Sequence, residues 1–168
     1  PFIEQRVSVI VPAIYEYFVN GKVADGSAGI RLALWHAATL IFIDNPLFGT
    51  GPGTYYIEKL EYINAGLIPS EAAGLTGPHS QLFESLFESG ICGPIMVYSI
   101  YFSFIWHCRK HFNQNKALST AGVLMAAGFI DFGMVEVIWD INNAGVFYTV
   151  MMVLIAGKLS FDRQYVTA

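Results

Sequence analysis

Two side chains in this 168-residue chain are of types that could act together on a phosphorylated substrate. Arg31 stands near the start of the apolar run Ser27–Tyr56, and His79 opens the run Pro78–Gly93. A guanidinium keeps its charge at any working pH and presents a planar fork of donors, which suits it to clamp a diphosphate. Each hydrogen bond to such a charged group contributes roughly 1.5–3 kcal/mol. An imidazole with an ordinary pKa of about 6.5 can take a proton from a hydroxyl near neutral pH. Trp35 lies four residues after Arg31 and shares its helix face, while Glu84 and Glu88 follow His79 at helical spacing. The ordinary alternatives are plain: Arg31 could snorkel to headgroups or pair with Asp25, His79 could simply begin a helix, and the two glutamates could form a solvated face that holds His79 or Arg31 in place.

The remaining polar residues give no second chemistry. His36 stands alone, and His107 and His111 have no carboxylate near them in sequence, so no zinc pattern forms. No Asp-x-Asp is present either. Gly49–Gly53 (GTGPG) follows a helix and lacks the Lys-Ser/Thr of a phosphate loop, so it reads as a stiff turn. Asp131 falls near the end of an apolar run, where an acid is either functional or paired.

The elements that must position Arg31 and His79 are helices. Phe2–Val19 is amphipathic, with Pro12 predicting a kink or two short helices. Asn20–Lys22 and Asp25–Ser27 form a loop, and Ser27 caps a helix that ends at Asn45-Pro46. Thr54–Ala65 reads as a short surface helix with Glu58, Lys59 and Glu61 outward, and residues 66–78 as a Pro/Gly loop. A helix beginning at His79 carries the stripe Leu82, Phe83, Leu86, Phe87. Three membrane-length apolar runs follow: Ile91–His107, Ala117–Val135 and Ile141–Gly157.

Composition agrees with a membrane protein. The chain is 54% hydrophobic and only 13% charged, with a mean hydropathy of +0.48, against about 25% charged in soluble domains. Residues 1–90 carry a net charge of −5 and residues 91–168 of +1, which leaves no basic face for nucleic acid. Arg109, Lys110, Lys116, Lys158 and Arg163 gather on one side of the runs. The positive-inside rule makes that side cytoplasmic and puts residues 1–90 outside. Cys92 and Cys108 lie about 24 Å apart along one helix and cannot pair. The chain starts at Pro1 with no leader, as expected of a fragment lacking its upstream part. The expected fold is therefore all-α: a helical periplasmic region at 1–90 bearing the site, and three transmembrane helices at 91–168 with a short basic cytoplasmic loop and tail.

The runs GIRLALW, NPLFGTG and HSQLFESLFESGICG, in that order before a membrane helix, resemble the C-terminal part of the O-antigen ligase/polymerase superfamily of bacterial membrane glycosyltransferases. The similarity extends over the basic loop and the last two apolar runs. The resemblance implies transfer of a glycan from undecaprenyl diphosphate to the lipid A-core of lipopolysaccharide, at the periplasmic face of the inner membrane, with inversion and without a cofactor or metal. By position, Arg31 matches the family's diphosphate-engaging loop arginine, and His79 the histidine that begins its His-Asn-Gln/Glu run. Trp35 and Glu84 join Arg31 as substrate-facing candidates. Two departures are Gly77, where the family often has another histidine, and Ser80 in place of Asn. GIRLALW and the compact loop are closest to the ligase branch, with an O-antigen polymerase or a protein O-oligosaccharyltransferase as alternatives. A non-enzymatic transporter or assembly subunit would instead place polar residues in mid-span, where these runs are nearly bare of charge.

Overall fold

The computed structural model describes residues 2–23, 27–139 and 141–166. Asp25, named above as an alternative partner of Arg31, and the turn at Asp25-Gly26 lie outside the described residues. Among the described residues seven α-helices follow one another: α1 Phe2–Asn20, α2 Ser27–Asp44, α3 Tyr55–Asn64, α4 Gln81–Ser89, α5 Cys92–Lys110, α6 Lys116–Gly133 and α7 Asn142–Val166. A 3₁₀ turn, Ser70–Ala72, interrupts the loop between α3 and α4. No strand occurs among the described residues, so the all-α expectation holds. Of the kink or two short helices expected at Pro12, the second does not occur: the proline lies inside one continuous α1.

The chain divides into two compact units: residues 1–79 with 83–93, and residues 80–82 with 94–168. The first is organised around α2. Its small residues Gly29, Ala33, Ala37 and Ala38 are buried beside Leu34 and Ile41, which lets neighbouring backbone approach closely. Tyr17 of α1, Tyr55 of α3, Ile68, Ala72 and Phe87 of α4 complete that core. Full burial of a side chain such as Leu34 or Ile41 stabilises by roughly 1.5–3 kcal/mol.

The turn after α2 is structural, and its glycines explain its sequence. Gly49 has a left-handed φ of 65°, and a Cβ there would stand 2.3 Å from the Phe87 carbonyl oxygen. Gly90 has φ 61°, and its Cβ would meet the Leu47 backbone at 2.4 Å. With no side chain in the way, the Thr50 amide donates to the Phe87 carbonyl at 2.8 Å, and the Gly51 amide to the Glu88 carbonyl at 3.0 Å. The Ile91 amide donates to the Pro46 carbonyl at 2.8 Å. The NPLFGTG turn thereby satisfies carbonyls at the end of α4 that the helix itself leaves open.

In the second unit Phe104, Cys108, Ala126, Ile155 and Leu159 form the core. Gly122 sits against it, where a Cβ would be 2.6 Å from the Cys108 sulfur. Asn115 caps α6 by accepting from the Leu118 amide at 3.0 Å; the bases of the expected loop fall in the helices, with Arg109 and Lys110 ending α5 and Lys116 opening α6. Among the described helices, one stretch is long and apolar enough to cross a bilayer: Asn143–Asp162 of α7. Helices α5 and α6 coincide with the other two apolar runs, at 19 and 18 residues. Cys92 and Cys108 are free thiols, the first exposed and the second buried.

Candidate functional site

Arg31 projects from the first half of α2 and is half-buried. No hydrogen bond or ion pair joins it to another described residue. One turn on, Trp35 donates its indole N–H to the Pro78 carbonyl at 3.0 Å, and its ring stacks on Phe83 of α4 with centroids 5.2 Å apart and planes 15° from parallel. The helix that carries Arg31 is therefore hydrogen-bonded to the residue preceding His79. Sequence spacing placed Arg31 and Trp35 on one face; the 43-residue jump from Trp35 to Pro78 has no local signal.

His79 does not begin a helix, as had been expected; α4 starts two residues later, at Gln81. His79 occupies a bend with φ 49°, and is the one non-glycine residue with positive φ among those described. Left-handed backbone is uncommon for a side chain bearing a Cβ and costs of order 1–3 kcal/mol, and such residues concentrate at functional sites. Pro78 biases the residue before it, not the one after it, so the expected helix start at His79 had no backbone reason.

Glu84 is less solvated than its helical spacing suggests. The carboxylate oxygen Oε2 is buried and lies 3.7 Å from where a Cβ on Gly77 would stand. It thus faces the corner that leads into His79. The nearby carboxylate adds to burial in pushing the Tyr55 phenol up, so that phenol stays neutral and donates to the Leu34 carbonyl at 2.7 Å.

Lys59 was expected outward and is fully buried instead. Its ammonium donates to the carbonyls of Ala72 at 2.6 Å and Ala73 at 3.4 Å, and also to that of Leu75. The Tyr55 and Tyr56 rings lie 5.5 Å away. A signal was present in the sequence: Lys59 stands four residues after Tyr55 and four before Ile63, on the apolar stripe of α3.

His36 is not alone, since the Tyr17 hydroxyl and His36 Nδ1 are 2.8 Å apart. Burial holds the His36 imidazole below its ordinary pKa and pushes the Tyr17 phenol up to about 12. The pair lines a cavity of about 260 Å³ with Phe18, Gly21 and the turn Gly66–Pro69. The His107 and His111 rings lie with centroids 4.3 Å apart and planes tilted by 34° in the second unit, and His107 Nε2 is 3.3 Å from the Ala156 carbonyl. No group of three metal-ligating side chains occurs among the described residues. Asp131 is exposed in the last turn of α6.

The described residues are all-helical and include one apolar helix of bilayer length, the features of a helical membrane protein. The family model described as O-antigen ligase matches residues 4–98, more than half of the chain. The chain belongs to that family and is a membrane glycosyltransferase of the O-antigen ligase and polymerase kind. The matched region holds Arg31, Trp35, His79 and Glu84, and it ends within α5. No curated protein matches the chain.

Proposed function

We propose that this protein transfers an O-antigen-type glycan from undecaprenyl diphosphate to the lipid A-core of lipopolysaccharide, at the periplasmic face of the inner membrane. In this reading residues 1–90 stand in the periplasm and α5, α6 and α7 cross the membrane. The observation that carries the reading is the Trp35–Pro78 hydrogen bond, which links the helix bearing Arg31 to the backbone next to His79. Arg31 and Trp35 then hold the lipid diphosphate, and Glu84 supports the corner from which His79 reaches the acceptor.

The step is a single displacement. The acceptor hydroxyl oxygen attacks the anomeric carbon of the donor while its proton passes to the His79 imidazole. The bond between that carbon and the phosphate oxygen breaks, with inversion, and the electron pair leaves on the polyprenyl diphosphate. Arg31 faces the negative charge that grows there, an electrostatic role that a metal ion fills in other enzymes. No divalent metal takes part in this reading, so transfer should persist in a chelator.

A polymerase or a protein O-oligosaccharyltransferase would use the same donor chemistry with a different acceptor. Deletion of the gene distinguishes them: core without any glycan marks a ligase, and core carrying a single repeat marks a polymerase. The site itself is tested in the full-length protein with Arg31→Ala, His79→Ala and His79→Gly. The glycine variant is informative because it adopts a left-handed φ without steric cost. It should fold at least as stably as His79→Ala, and both should lose transfer at least a hundredfold. Near-normal transfer by either well-expressed histidine variant would refute the reading.

A further inference from the structure

The one buried ammonium in the first unit's helices has no part in the chemistry above, yet it holds the segment that leads to His79. Lys59 has three N–H donors, and its three carbonyl acceptors all belong to residues 72–75. One turn before it on α3, the Tyr55 hydroxyl donates to the Leu34 carbonyl of α2. One face of α3 thus grips the arginine helix with a phenol and the histidine loop with an ammonium. Downstream of Leu75, the next anchor is the Pro78 carbonyl, held by Trp35. Only Thr76 and Gly77 lie between these anchors, which leaves His79 little freedom.

We propose that Lys59 is a positioning residue for glycan transfer: together with Tyr55 it braces the His79 loop against the helix that carries Arg31. The proposal rests on the functional reading above. An ammonium suits this task better than an apolar side chain because one atom can hold three backbone carbonyls of an irregular segment at once. A hydrophobe of equal size would fill the space and leave those carbonyls without their donor.

Lys59→Met in the full-length membrane protein keeps most of the side-chain volume and removes all three donors. Displacement of a catalytic group by about 1 Å can cost on the order of a hundredfold in rate. The expected result is a 10- to 100-fold fall in kcat, with KM for the lipid-linked donor within threefold of wild type, because Arg31 and Trp35 are untouched. Ile41→Ala, a core variant on α2 that removes none of these side-chain hydrogen bonds, serves as the control. At a comparable loss of melting temperature it should keep kcat within threefold, since a purely structural role would not separate kcat from KM. Retention of kcat by Lys59→Met, or a loss no larger than that of Ile41→Ala, overturns the brace. If Lys59→Met does not accumulate, Tyr55→Phe carries the test: a 3- to 10-fold fall in kcat supports the brace, and kcat within twofold of wild type overturns it. His79→Gly in the same assay separates the two ideas. Transfer that survives His79→Gly removes the functional reading itself, whereas transfer lost in His79→Gly and retained in Lys59→Met removes only the brace.

Discussion

Trp35→Phe isolates the joint between the arginine helix and the histidine corner. The substitution deletes the indole N–H that donates to the Pro78 carbonyl at 3.0 Å, while a phenyl ring still lies against Phe83. A neutral hydrogen bond of this kind contributes about 0.5–1.5 kcal/mol, and a carbonyl left wholly without a partner costs about 1–3 kcal/mol. Trp35 is half-buried, so water can reach part of the vacated position and the lower figures apply. The expected loss of stability is about 1–1.5 kcal/mol. Against a typical 5–15 kcal/mol for a folded domain, that leaves nearly every molecule folded, and depletion of folded enzyme cannot explain a large fall in rate.

Catalysis should respond more strongly than stability. With the Pro78 carbonyl released, His79 loses its direct tie to α2, and a shift near 1 Å is worth roughly two orders of magnitude. Trp35→Phe should therefore lower kcat by about 10- to 100-fold. Trp35→Ala should add the loss of the stack on Phe83, worth about 0.5–1.5 kcal/mol beyond its buried area, and with it a higher donor KM. The assay is transfer of glycan from a polyprenyl-diphosphate donor by the full-length protein in lipid nanodiscs, alongside thermal unfolding of the same samples. A Trp35→Phe protein whose melting point falls while kcat stays within twofold would refute the claim that this hydrogen bond sets the reacting geometry.

Gly49→Ala should destabilise the first unit by about 2–4 kcal/mol. It meets a left-handed φ and a carbonyl oxygen 2.3 Å from the new Cβ at once, and urea or thermal unfolding reads the loss; a fall below 1 kcal/mol would mean the turn yields easily. The His36–Tyr17 pair should make stability depend on pH in one direction. Burial lowers the His36 pKa in the folded state, so the unfolded chain binds more protons. The stabilisation is then complete above the unfolded value of about 6.5 and declines as pH falls from there toward the folded pKa. Melting points measured between pH 7.5 and 5 should fall more steeply for wild type than for His36→Gln, and parallel curves would assign the acid sensitivity elsewhere.

What could be read along the chain was mostly local. The Asn45-Pro46 stop of α2 and the apolar stripe of α4 each announce themselves within a few residues, and the helices follow. The shared face of Arg31 and Trp35 was equally legible, because a four-residue spacing on a helix is geometry. The burial of Lys59, the bend at His79 and the setting of Glu84 were not legible for a common reason. Each takes its environment from residues far away in sequence: Lys59 from carbonyls 13 to 16 positions on, Glu84 from its approach to Gly77, and His79 from a corner held by Trp35. A charged residue on an apolar stripe, such as Lys59 between Tyr55 and Ile63, is a conflict between local polarity and helical position. That conflict is resolved here by three backbone carbonyls of the loop ahead of His79. Local rules therefore fail along the path that leads to the candidate site, where a loop must be held still by partners that no short window of sequence contains.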